Sequence, residues 1–166
     1  MGLFNTGISK IELSDIAPDG DVGTAFATLG MTQEGTCKIN FADGTIQELK
    51  VEEKDTAADS VLIAGEKTVD FTVADPDEDT LVSVFGGTKS GTGLTTKYKS
   101  PLTTVTIEKS LKITPRIGMG FIFPRVLITA KLTPDAGKAN WIGVAVSCKV
   151  LMPKKDGVSD WEAFRV

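Results

Sequence analysis

The densest run of chemistry-bearing side chains is Asp75-Pro76-Asp77-Glu78-Asp79-Thr80, four carboxylates within five positions. Carboxylates so crowded either ligate a divalent cation or start a helix. An EF-hand calcium loop counted from Asp75 needs a glycine at its sixth position and a glutamate at its twelfth, where this chain has Thr80 and Gly86. The helical reading uses every residue. Asp75 is an N-cap, Pro76 suits the first helical position, and Glu78 stands where a capping box places its acid. Asp77, Glu78 and Asp79 then lie at the positive end of the helix dipole. Leu81, Val82, Val84 and Phe85 supply apolar contacts, and Gly86-Gly87 ends the helix in left-handed geometry. The spacing predicts one short helix over about 76–85, too short to persist in water without a sheet to pack on.

Other chemistry is sparse. The chain contains no histidine, which removes Ser-His-Asp and Cys-His catalysis and histidine-ligated metals. Cys37 and Cys148 form no CxxC pair. Each falls on the apolar parity of a predicted strand and reads as a buried thiol. A disulfide between them requires neighbouring strands of suitable geometry. There is no P-loop, GxSxG or GxGxxG motif. Acids are plentiful enough for a glycosidase pair, but carboxylates on strand exteriors and in loops are ordinarily solvated charge. We expect a non-enzyme without metal or cofactor.

The elements around the helix read as strands. Ile8–Leu13 is short. Gly35–Phe41 alternates cleanly, with Cys37, Ile39 and Phe41 on one side. Asp43-Gly44 has the residues of a hairpin turn into Thr45–Val51. Val51–Ser60 is acidic and reads as a loop. Lys67–Val73 places Val69, Phe71 and Val73 on one face, and Gly86–Lys97, rich in Gly, Ser and Thr, reads as a mobile loop. Thr103–Thr114 is a long strand interrupted at Lys109, which marks an edge, a bulge or the end of the buried stretch. Met119–Leu132 is apolar on both parities, the pattern of two-sided burial, and Pro124 suits a bulge or an edge. Thr133–Gly137 is a turn, Trp141–Met152 a further alternating strand, and the tail either docks Trp161 and Phe164 or stays loose. Seven or eight strands and one helix predict a mainly β domain over residues 1–166, an antiparallel sandwich or barrel-like form with the helix on its flank.

Composition narrows the class. With 41% hydrophobic residues the chain can bury a core. No run approaches the roughly 20 apolar residues of a membrane helix. The N-terminal residues lack the regions of a signal peptide. They match the myristoylation pattern through Gly2 and Thr6, with no polybasic patch to follow. The net charge of −4 conceals an acidic first half and a basic second half. These charges either intermix on folding or form opposite patches that favour self-association. The basic residues are scattered singly, without interleaved aromatics, which argues against nucleic-acid binding.

The run from Lys67 to Thr88, a strand passing through an acidic cap into a short helix and Gly-Gly, resembles the major tail tube proteins of long-tailed bacteriophages and their prophage relatives. The opening GISKIELSDIAPDGDVGT is similar to small structural proteins of prophages in gut bacteria. The resemblance implies a virion protein, made in the bacterial cytoplasm, whose sandwich domains form hexameric rings. Stacked rings form a tube, in contact with other tail proteins, through which DNA passes without specific binding. It also implies interface arms. One is the acidic stretch carrying Glu52, Glu53, Lys54, Asp55 and Asp59, another the loop carrying Lys89, Ser90, Gly91 and Lys97, joined by Met1–Ser9 and the C-terminal tail. The competing expectations are another β-rich assembly part, such as an injection-system tube, a neck or a terminator protein, and a sandwich-type binding module.

Overall fold

The computed structural model describes residues 4–133 and 142–166, so the expected turn at Thr133–Gly137, Trp141 and the Gly2 pattern fall wholly or largely outside the described residues. Among the described residues the protein is mainly β, antiparallel throughout, with a single short α-helix and no closed barrel. The main sheet runs in the order β2 (Ala27–Thr28), β1 (Thr6–Ser14), β9 (Ile107–Ile117), β10 (Met119–Leu132), β11 (Val144–Val150), β6 (Lys67–Val73), β3 (Lys38–Phe41). A last strand, β12 (Glu162–Arg165), pairs with β10. Two separate hairpins stand apart from it: β4 (Thr45–Leu49) with β5 (Asp59–Ile63), and β7 (Thr88–Ser90) with β8 (Lys97–Lys99).

Period-two alternation sets the core. Val69, Phe71 and Val73 of β6 are buried, as are Val144, Val146 and Cys148 of β11. The register aligns them in rows, Ile128 opposite Cys148 and Cys148 opposite Val69, with Val146 opposite Phe71. Across β1 and β9 the rows are Leu13 with Leu111 and Ile11 with Ile113. Each such side chain contributes about 1.5–3 kcal/mol when fully buried.

The two apolar parities of β10 have a different cause from the two-sided burial expected. Phe123 pairs with Leu111 and Val126 with Lys109, which leaves Pro124 and Arg125 opposite the single residue Ser110. This β-bulge inverts the phase, so Phe121 and Phe123 face the core before it, and Val126 and Ile128 after it. Pro124 thus occupies a bulge, and Lys109 faces its edge. The buried Ser110 hydroxyl secures the site. It donates to Pro124 O at 2.7 Å and accepts from Gly23 N at 2.9 Å. The neighbour of β10 changes at the bulge as well, from β12 along Met119–Ile122 to β11 along Val126–Leu132.

One segment links the two edges of the sheet. Ala27 and Thr28 pair with β1, whereas Thr32 bridges Val73 and Lys38–Phe41 pairs with β6. The sheet therefore curls back on itself without a continuous ladder. The tail closes another side. Trp161 lies 5.6 Å from Phe41 and 6.2 Å from Phe121, beside an ion pair of Asp160 with Lys67, and Phe164 lies over Lys112. The tail is docked, with Phe164 inside a strand.

The helix, α1 (Glu78–Phe85), begins later than its sequence suggests. Its N-cap is Asp77, whose carboxylate accepts Thr80 N at 2.7 Å; Asp75 instead accepts the backbone N–H of Met31, where residues 30–33 run alongside the end of β6. Pro76 therefore precedes the cap, and Glu78 is the first helical residue with no capping box. Gly86 is the C-cap, at φ 76°, and donates to Val82 O. Gly87 is at φ 90°, where a side chain would strike Lys99 O. Val84 enters the core, and Thr80 donates to Leu29 O at 3.1 Å.

Candidate self-association surface

The acidic stretch is the tip of a hairpin. The sequence-expected pairing of β3 with β4 across Asp43-Gly44 does not form, because β3 is taken by β6 and β4 pairs with β5. β5 takes its first two residues from the expected loop Val51–Ser60 and continues through Val61-Leu62-Ile63, to which the sequence reading assigned no element. Ala42 N donates to Glu66 O at 2.8 Å and pinches the base of the hairpin. Ile46 stands opposite Leu62 on one face; Leu49, Val61 and Ile63 lie on the other. All are exposed, Ile46 by 64%, Leu49 by 61%, Val61 by 61% and Leu62 by 70%. Both faces of the hairpin therefore present apolar side chains to solvent, an arrangement marginal in water for two strands alone and characteristic of interaction surfaces. Glu52, Glu53, Lys54 and Asp55 cap this arm at its exposed turn, and Asp59 opens β5.

The second expected loop is also a hairpin. Thr88, Lys89 and Ser90 pair with Lys99, Tyr98 and Lys97, a single 3-10 turn, Gly93–Thr95, forms the tip, and Gly91 takes φ 92° at its start. Tyr98 Oη donates to Gly86 O at 2.8 Å and ties the arm to the helix end. Lys89 pairs with Asp79, which raises the pKa of its ammonium, while Leu94 and Leu102 are fully exposed. The expected interface residues thus fall into two groups, one on each hairpin. The other two expected arms belong to the main sheet, Thr6–Ser9 as the start of β1 and the tail as β12.

Folding pairs off part of the charge asymmetry. Lys155 bridges Asp19 and Asp21 at 2.8 and 2.7 Å, and its hydrogen bonds hold both carboxyls below their ordinary range. Lys109 meets Asp15 and Lys149 meets Glu66. Arg125 holds Glu108 with two hydrogen bonds, 2.9 and 2.8 Å, which depress its pKa. The hairpins keep charge unspent: among the described residues Glu52, Glu53, Asp55 and Asp59 have no ion pair, nor do Lys97 and Lys99.

The cysteines are free. Cys148 is buried and Cys37 half-buried, and desolvation raises both thiols, that of Cys37 to about 11. Both are therefore poor nucleophiles at neutral pH. Among the described residues, no helix is long and apolar enough to cross a membrane. No protein-family model and no curated protein matches the chain.

What sequence reading missed is the apolar content of the arms. Val61-Leu62-Ile63 beside an acidic run, and Leu94 amid Gly and Thr, were the available signals.

Proposed function

We propose that the chain is a virion structural subunit that self-assembles into stacked rings forming a phage tail tube, with DNA passing through the lumen without specific contact. The observation that carries this reading is the β4–β5 hairpin, apolar on both faces and uncovered in the single chain. A surface of this kind is ordinarily covered by another protein surface. The resemblance over Lys67–Thr88 gives the tube its place in the reading, and hexameric symmetry rests on that resemblance alone. Sedimentation velocity across a concentration series tests the role of the hairpin. The wild type should move into ring-sized and larger species. Ile46→Ser with Leu62→Ser should remain monomeric with an unchanged melting temperature. A wild type that stays monomeric throughout, or a variant that assembles like it, contradicts the reading.

A further inference from the structure

Resting on that reading, we infer that the acidic β4–β5 hairpin of one copy docks on the basic β7–β8 hairpin of the next, a heterologous contact between two different arms. Four observations converge. The β4–β5 hairpin, Thr45–Ile63, holds five acids against two lysines, whereas Thr88–Lys99 holds three lysines and no acid. Both stand outside the main sheet. Both expose large apolar side chains, Ile46, Leu49 and Leu62 on one and Leu94 on the other, with Leu102 just beyond it. Glu52, Glu53 and Asp55 at the tip of the acidic hairpin, and Lys97 and Lys99 along β8 of the basic one, have no ion pair among the described residues.

The topology places the arms apart. The acidic hairpin leads directly into the N-terminal end of β6 at Lys67. The basic hairpin follows α1 beyond the C-terminal end of β6, and the Lys89–Asp79 pair holds β7 against the first turn of that helix. One chain therefore carries two complementary arms, separated in the chain by β6 and α1, and in the ring or tube proposed above the acidic arm of one copy meets the basic arm of the next, a head-to-tail contact. Apolar burial supplies attraction, and opposite charge selects the partner and orientation.

Charge reversal tests the pairing. One variant carries Glu52→Lys, Glu53→Lys and Asp55→Lys; the other carries Lys97→Glu and Lys99→Glu. All five positions are exposed, so each variant should retain the wild-type melting temperature. Each alone should need at least ~10-fold more protein to assemble, because both of its arms then approach the same sign. An equimolar mixture should assemble at wild-type concentrations, because every acidic arm again finds a basic one. If either variant alone assembles like the wild type, or if the mixture stays apart, the hairpin-to-hairpin contact is wrong, while wild-type assembly leaves the tube reading standing. A wild type that never assembles overturns both.

Discussion

Asp75 and Asp77 each stand three residues before a residue able to close a helical cap, and sequence spacing alone does not separate them. Tertiary structure does. Asp75 is drawn to Met31 N, so Asp77 caps the helix through Thr80 N. Removing the cap by Asp77→Ala should cost about 1 kcal/mol. Glu78→Ala should change stability by no more than about 0.5 kcal/mol, since Glu78 closes no capping box. Urea denaturation of both variants checks the assignment. The hydrogen bond from Thr80 N lowers the Asp77 pKa below 3.8. A depressed carboxyl adds stability that is complete above its unfolded value and is lost as pH falls through its folded one. Unfolding midpoints from about pH 6 down to about pH 2.5 should therefore show the difference between wild type and Asp77→Ala shrinking with acid. The reverse trend would place the cap elsewhere. The glycine end of the helix was legible because only a left-handed residue fits there. Burial of the cysteines was legible in part: Cys148 lies in the core and Cys37 at its margin. A thiol reagent should accordingly modify Cys37 first and leave Cys148 intact until the protein unfolds.

Alternating strands were the most readable elements, because Val69-Phe71-Val73 and Val144-Val146-Cys148 each fill one side of a sheet. β10 was harder. A bulge changes which parity faces inward, and a sequence read at constant phase mistakes the change for burial on both sides. Ser110 stabilises that bulge, so Ser110→Ala should leave Gly23 N without its acceptor and Pro124 O without its donor. The expected loss is about 1–3 kcal/mol, measured by chemical denaturation. A loss within error would show that the bulge is held by backbone geometry alone. Strand β5 went unread because it starts inside an acidic run and its apolar residues, Val61-Leu62-Ile63, meet no core. The Asp43-Gly44 pair was misleading for a related reason. Its turn chemistry is real, but β6 is the better partner for β3, since Ile39 aligns with the buried Val69.

At the scale of the whole molecule, the antiparallel β class and its single flanking helix were legible from alternation, turn residues and one capped helical run. The near-closure of the sheet by residues 27–41 was not, because it depends on pairings between segments far apart in the chain. The candidate surface was half legible. The charged residues of both arms stood out, whereas the apolar residues that give those arms a reason to associate only became visible once folding left them uncovered. Self-assembly through those arms is the central claim, and negative-stain electron microscopy of the purified protein, concentrated at low and moderate salt, tests it most directly. The account predicts rings or tubes with a central hole, fewer at the higher salt because the arms attract through screened charge. Featureless single particles at every concentration and both salts would contradict it.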